Sequence, residues 1–380
     1  MSTTGIVHQI DPRNPVAGGI ETCIAGIVRY APSDEKLVVI GADRSGARPR
    51  GAGSTLLGEL QWLDVQGRQV GFLPVARLGR RGRAGLVPET VTLTLGLVRF
   101  RHAIRSAVDH LQVHRSETGA VVSLLLPGID RVQCIHGDSS RALRYRSASY
   151  WRFLRRAHLC IERWSVRRAT WTHVFNRSGA ARLARASSRV SYLPTWFDPE
   201  IVLTRTEPSA GGHSRALWVG RLEEEKDPVL GMRALEAFVG RGGAGDARRA
   251  AMVGEGSLQA SVLDERPAGS GVELRGSLSQ ADVAGEMAAA DVLLMTSRFE
   301  GSPVVMNESL AAGTPVVGTE ESDPDERIEN GRNGFRCPER SAAALADAMA
   351  TARSLSRSAC IESVRELSAP LLVPRLFTTP

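Results

Sequence analysis

The chain predicts an α/β fold built from two doubly wound domains in tandem, and three observations carry that expectation. Short apolar runs alternate with longer helical patterns through both halves, which implies parallel sheets covered on both faces. One polar, glycine-rich stretch, Thr204 to Ser214, breaks the alternation and reads as a linker. At 380 residues, with 42% hydrophobic side chains and 38 glycines, the chain is long enough to bury two cores.

In the first half, strands are expected at Gly5 to Ile10, Leu37 to Gly41, Val121 to Leu126, Val132 to His136, Thr172 to Phe175 and Val190 to Leu193. Helices are expected at Gly19 to Tyr30, Glu89 to His110 and Ala142 to Arg168. The second half repeats the alternation with strands at Ala216 to Val219, Ala250 to Val253, Val272 to Leu274, Asp291 to Thr296 and Pro315 to Gly318. The expected domains are therefore 1–203 and 215–365, joined by 204–214. The tail 366–380 is expected to be irregular, since Ala369 to Pro380 carries three prolines. Arg44 to Gly58 and Gly240 to Ala247 read as surface loops, and no repeat of solenoid period is present.

Composition excludes several classes. No apolar stretch is long enough to span a bilayer, and Met1 to Ile10 lacks a basic start and apolar core, so a cytoplasmic protein is expected. Cys23, Cys134, Cys160, Cys337 and Cys360 show no metal or redox spacing and read as reduced thiols. The net charge of +7 is carried by arginine, because Lys36 and Lys226 are the only lysines. No basic-aromatic motif accompanies it, so nucleic acid is not an expected partner, while acidic ligands and anionic lipid are allowed. Arg80, Arg81, Arg83, Arg99, Arg101 and Arg105 interleave with apolar residues between Leu78 and His110, a pattern suited to peripheral contact with an anionic membrane.

The richest stretch runs from Ser297 to Gly313, with Glu300 and Glu308 eight positions apart. It reads as a strand end, a tight turn at Gly301, a cap at Ser302, Pro303 at the first helical position, and a helix that stops at Gly313. Free N–H groups around Val304 and the helix dipole favour a phosphate, and carboxylates accept from sugar hydroxyls. A sugar joined to a diphosphate satisfies both. Each glutamate alone also reads as an ordinary helix residue. After the first strand of the second half comes Gly220-Arg221-Leu222-Glu223-Glu224-Glu225-Lys226, where Arg221 and Lys226 are placed to neutralise a diphosphate or to form a surface ion-pair cluster. Gly254 and Arg275 lie in two further strand-end loops, which read equally as walls for a nucleotide base or as ordinary turns. In the first half, Gly18 and Gly19 open a helix where backbone can approach a phosphate, although the full dinucleotide fingerprint is missing. His136 ends a strand.

These residues resemble a known family, the retaining nucleotide-sugar glycosyltransferases of family four, over roughly 4–350 and most strongly from Leu217 to Phe335. Gly220-Arg221-Leu222, Lys226, Glu300, Glu308 and Gly313-Thr314-Pro315-Val316-Val317 carry the resemblance. It implies the GT-B fold, two Rossmann-like domains facing across a cleft. It further implies that Arg221 and Lys226 bind the donor diphosphate, that Glu300 and the Gly301-Ser302-Pro303-Val304 backbone hold the transferred sugar, and that Glu308 takes the ribose hydroxyls. Gly18 and Gly19 resemble the family's first-domain phosphate loop, and His136 its histidine near the sugar. The donor is expected to be of UDP or GDP type, with no cofactor and no metal, as no Asp-x-Asp motif is apparent around the site. The acceptor is expected to be a glycan or lipid-linked hydroxyl. A GT-B nucleotide-sugar epimerase and a non-catalytic sugar-nucleotide-binding subunit are the alternatives, the latter prompted by the tail.

Two departures accompany the resemblance. Pro194-Thr195-Trp196-Phe197-Asp198 stands where relatives often have Asn-Gly after the proline that ends the first domain, a departure that need not affect donor chemistry. Asp323-Pro324-Asp325-Glu326 stands where relatives commonly have glycines, ahead of the late loop Glu329 to Phe335.

Overall fold

The computed structural model describes residues 2–14, 18–44, 56–78, 88–140, 154–205, 213–243 and 246–378. The chain divides into two compact units, one of residues 1–136, 154–193 and 373–380, the other of 137–153 and 194–372. The division at 193/194 lies upstream of the 204–214 stretch expected as the linker. Each unit is an α/β domain around its own sheet.

In the first unit the elements run β1 (Thr3–Val7), α1 (Gly19–Tyr30), β2 (Lys36–Asp43), β3 (Gln61–Val65), β4 (Arg68–Arg77), α2 (Glu89–Arg99), α3 (Arg101–Ala107), β5 (His110–Val113), α4 (Ser116–Leu125), β6 (Asp130–Ile135), α5 (Arg155–Arg168), β7 (Trp171–Val174), α6 (Arg177–Ala184) and β8 (Val190–Tyr192). They form one eight-stranded sheet of order β3-β4-β2-β1-β5-β6-β7-β8, parallel except that β3 runs antiparallel to β4. The interior strands read as continuous apolar runs because both faces are covered, as in Leu37 to Ile40.

Three expectations fail here. Val121 to Leu126 is the end of helix α4 and not a strand: an uninterrupted apolar run suits either element, and Val122 is buried while Leu124 is 70% exposed, a helical pattern. The segment expected as one helix from Glu89 to His110 is two helices followed by the start of β5. The β3–β4 hairpin was not expected; it turns through Gln66 and Gly67, both with positive φ, as a two-residue turn of the I′ kind requires.

In the second unit follow β9 (His213–Val219), α7 (Pro228–Gly240), β10 (Ala247–Val253), α8 (Gln259–Asp264), β11 (Val272–Leu274), α9 (Gln280–Ala289), β12 (Val292–Met295), α10 (Val304–Ala311), β13 (Val316–Thr319), β14 (Gly334–Cys337), α11 (Ala342–Ala352), α12 (Arg357–Ser363) and α13 (Ala369–Leu372). All six strands are parallel, in the order β11-β10-β9-β12-β13-β14. Alternate strand residues feed opposite layers: Trp218 packs with Met232, Phe238, Leu345 and Met349, whereas Leu217 packs with Met287, Met306, Leu310 and Cys360. The order reverses between β9 and β12, and in such sheets ligands bind outside the carboxyl ends of the strands at that switch.

The tail is not irregular. Ala369–Leu372 is helical, Val373–Leu376 continues as a 3₁₀ turn, and that turn packs on α1 of the first unit. Pro370 and Pro374 sit near the starts of these two short segments, where a missing N–H costs no hydrogen bond.

Candidate functional site

The switch point of the second unit is flanked by the exits of β9 and β12, and an ion pair spans it. Lys226 Nζ lies 2.5 Å from Glu300 Oε1, and the Ser297 hydroxyl donates to the same oxygen at 2.7 Å. Both charged side chains are largely shielded, at 22% and 9% exposure. Opposite charges held in reduced solvent interact more strongly than the usual surface pair. Arg221, on the same loop, is mostly exposed and pairs with Glu225.

Local sequence explains why Lys226 sits there. The indole N–H of Trp218 donates to Thr296 Oγ1 at 2.9 Å, and that hydroxyl reaches the carbonyls of Lys226 and Asp227 at 3.0 and 2.9 Å. Asp227 adopts left-handed φ of 46°, which is costly for a non-glycine residue, and caps α7 by accepting from the Leu230 amide. Its second oxygen receives Arg340 at 2.8 Å and Arg298 at 3.0 Å. Arg340 also donates to the carbonyls of Thr296 and Ser297, so one guanidinium ties the β9 and β12 exits together. Arg340 was not picked out from the sequence, since it lies in no motif.

The turn after Glu300 differs in detail from expectation. Pro303 is the residue before the helix and not its first residue, and Ser302 does not cap α10. The Ser302 hydroxyl instead meets Thr195 Oγ1 at 2.7 Å and accepts from Arg327 at 3.0 Å. Arg327, also missed, reaches Asn307 Oδ1 at 2.8 Å and so places a cation beside the N-terminus of α10. The helix ends as expected, with Gly313 at φ 83° and its backbone against the Arg205 carbonyl.

The 194–198 segment meets α10, because Asn307 Nδ2 donates to the Thr195 carbonyl at 2.9 Å. Glu308 is half-buried on α10, where burial first and the Asp198 carboxylate second push its pKa up to about 7. It borders a small cavity with Val202, Val283 and Met287. The two glutamates thus diverge: Glu300 faces Lys226, and Glu308 faces the 198–203 segment and α9.

Gly254 has φ 134°, and its position would bring a Cβ to 1.8 Å from the Gly220 carbonyl oxygen, so the β9 and β10 exits touch backbone to backbone. Arg275 stands at the neighbouring β11 exit, where the next residue's carbonyl accepts from the Gly254 amide at 2.7 Å; its guanidinium pairs with Glu273 at 2.8 Å and lies 3.8 Å from Glu286. Asp323-Pro324-Asp325 has the Asp-x-Asp spacing that was not expected near the site. The Asp323 carboxylate accepts from the Arg327 and Ile328 amides at 2.9 Å each, and Asp325 pairs with Arg327. Among the described residues no cluster of three metal-ligating side chains occurs.

In the first unit, Gly18 precedes α1 and the Glu21 carboxylate folds back onto it, occupying the helix N-terminus. Pro15, Val16 and Ala17, of the same loop, lie outside the described residues. Gly19 is the first residue of α1. His136 follows β6 and lies 2.8 Å, nitrogen to nitrogen, from His114 after β5. Burial, then His114 and Arg115, hold His136 well below the usual imidazole range.

Against known proteins, residues 213–354 match the family described as Glycosyl transferases group 1. A protein of Escherichia coli (strain K12) named as a colanic acid biosynthesis glycosyltransferase, WcaL, is 28% identical over 222 residues, 56% of this chain and 52% of its own. The chain spans about half the length of that relative. Sucrose-phosphate synthase from Thermosynechococcus elongatus superposes with a TM-score of 0.76 at 17% identity, over 99% of this chain and 98% of its own. Anabaena HepE, solved with UDP and glucose, superposes with a TM-score of 0.68 at 17% identity and the same coverage. The fold is therefore the GT-B fold of these structures, and the second unit carries the segment that matches the group 1 glycosyl transferases.

Proposed function

We propose that the chain is a glycosyltransferase that moves a sugar from a nucleoside diphosphate sugar to an acceptor hydroxyl, with retention at the anomeric carbon, in glycan, glycolipid or cell-envelope biosynthesis. The observation that carries this reading is the Lys226–Glu300 pair across the switch point of the second unit. Lys226 has three donors, enough to hold Glu300 and a phosphate oxygen together. Arg221, Arg327 and the α10 amides add positive charge for a diphosphate, and Glu300 is left to accept from the sugar's hydroxyls. The glycosidic bond breaks with its electrons on the departing phosphate, the acceptor oxygen bonds the same face of that carbon, and the phosphate oxygen takes the acceptor's proton. Cations at the leaving group stabilise the charge as it develops. The HepE complex with UDP and glucose, and the naming of WcaL for polysaccharide synthesis, support the substrate class.

A thermal-shift series of UDP- and GDP-sugars, followed by product analysis with the best stabiliser, tests the reading. Stabilisation by one donor and transfer that persists in EDTA are expected. Indifference to every donor would sink it, and isomerised donor without transfer would point to the epimerase. The tail that prompted a non-catalytic reading is helical, which removes the motive for that alternative.

Glu308 gives a pH signature. Its folded-state pKa of about 7 lies above the ordinary carboxyl value of 4.5. Its contribution to folding is therefore fully present below about pH 4.5 and lost as pH rises through 7. Donor binding runs the other way, since the ionised carboxylate accepts ribose hydroxyls best. Donor affinity should rise between about pH 6 and 8 and lose that rise in Glu308→Gln, with affinity about tenfold weaker at the alkaline end. Calorimetry across that range checks both; a parallel pH slope in the variant would contradict the assignment.

We also propose peripheral docking of the first unit on anionic lipid. Val91, Leu95 and Val98 are exposed along α2, and Arg99 at its end and Arg101 and Arg105 on α3 are exposed as well. Arg80, Arg81 and Arg83 lie outside the described residues. Among the described residues no helix is long and apolar enough to cross a membrane. The protein should sediment with phosphatidylglycerol-rich vesicles at low salt and be released as salt rises, and Leu95→Glu should abolish sedimentation. Sedimentation of the variant equal to wild type would dispose of this surface.

A further inference from the structure

Three histidines stand at neighbouring strand ends of the first unit: His8 after β1, His114 after β5 and His136 after β6, strands that are adjacent in the sheet. The order of this sheet also reverses, between β1 and β5, so the row begins at the switch point. His114 and His136 stack with ring centroids 5.1 Å apart and planes at 30°, and His136 rests against Phe175 at 4.6 Å. The nitrogens in contact are His114 Nδ1 and His136 Nε2, at 2.8 Å. His8 meets His114 edge-on at 6.2 Å.

A contact that short needs one proton between the two nitrogens, and both rings are neutral, since burial pushes His114 down to about 3 and His136 well below its ordinary value. Two arrangements satisfy this. In one, His136 donates from Nε2; His114 must then carry its own proton on Nε2, and that atom is buried with no hydrogen-bond partner among the described residues. In the other, His114 donates from Nδ1 and leaves only a bare lone pair at Nε2. A buried N–H without an acceptor is rarer and costlier than an under-used lone pair.

We infer that His114 is a positioning residue: its Nδ1–H donates to His136 Nε2 and holds His136 as the tautomer that carries its proton on Nδ1. His136 then meets a ligand oxygen, a sugar hydroxyl or a phosphate oxygen, only as a hydrogen-bond donor, and its one basic lone pair, on Nε2, is taken up by His114 and not open to the acceptor's proton. The consequence for turnover rests on the proposed function together with the resemblance that implies a place for His136 near the sugar; the tautomer itself does not.

The test is a long-range proton–nitrogen correlation spectrum of the uniformly labelled full chain. His136 should show a protonated Nδ1 and a bare Nε2, unchanged between about pH 6 and 8. In His114→Phe that fixed pattern should be lost, whereas His114→Asn, whose amide N–H stands near the place of Nδ1–H, should restore it. Turnover should fall about five- to tenfold in His114→Phe with donor KM little changed, and recover in His114→Asn. A proton found on His136 Nε2, or an unchanged tautomer in a folded His114→Phe, overturns the inference. If His114→Phe does not fold, the wild-type and His114→Asn spectra still decide. Since the spectrum needs neither donor nor turnover, a chain that transfers no sugar would remove the proposed function and leave the tautomer result to stand or fall alone.

Discussion

Lys226→Ala is expected to lower the rate of sugar transfer by about 10²- to 10³-fold, the loss typical of removing one preorganised group that stabilises developing negative charge. The loop that carries Lys226 is held without its side chain, by Thr296 on the carbonyls of Lys226 and Asp227 and by Arg340 on the Asp227 carboxylate. The fold should therefore survive, and the loss should appear in the chemical step. Glu300 keeps the Ser297 hydroxyl as a donor in that variant but loses its cation. Glu300→Gln should cost a similar factor, and the double variant much less than the product of the two, because the residues act as one unit. Single-turnover assays with the donor found by thermal shift measure this directly. A Lys226→Ala rate within about threefold of wild type would show that the leaving phosphate is stabilised elsewhere.

The second unit was legible because its strands are short apolar runs that end in recognisable loops. Each of its five expected strands is present, and only β14 was missed, where Gly334, Phe335, Arg336 and Cys337 offer no apolar run. The first unit was harder for a physical reason. Its β3 is an edge strand whose alternate residues are exposed, β4 is buried but its apolar run is broken by Gly71 and Pro74, and α4 hides behind an apolar run that fits two periods. Of the site, the Lys226–Glu300 pair was readable from motif spacing. Arg340, Arg327 and Asp198 were not, since each reaches its partner only through the fold: Arg340 binds Asp227 from 113 positions away.

Gly254→Ala is expected to be the most damaging single methyl in the second unit. The residue holds φ 134°, a region open to glycine and closed to other residues at a cost of roughly 1–3 kcal/mol. The added carbon would also fall 1.8 Å from the Gly220 carbonyl oxygen, an impossible distance that one of two backbones must relieve, for about another 1–3 kcal/mol. Neither backbone is free to move. The Gly254 amide donates to the Gly276 carbonyl at 2.7 Å, the Gly220 amide to Val253 at 3.0 Å, and the Leu222 amide to Glu255 at 2.9 Å. For a unit of this size the sum lowers the melting temperature by about 5–20 °C. Gly276→Ala is the control: its φ is 62°, and the new carbon would meet only the flexible end of Glu255 at 3.4 Å, so about 1–2 kcal/mol is expected. Because the Gly220 carbonyl belongs to the loop that carries Arg221 and Lys226, donor affinity measured well below the melting transition should fall in Gly254→Ala and hold in Gly276→Ala. Equal melting temperatures for the two variants would mean that the β9 and β10 exits are not locked together, and that the position of Lys226 is set by Thr296 and Arg340 alone.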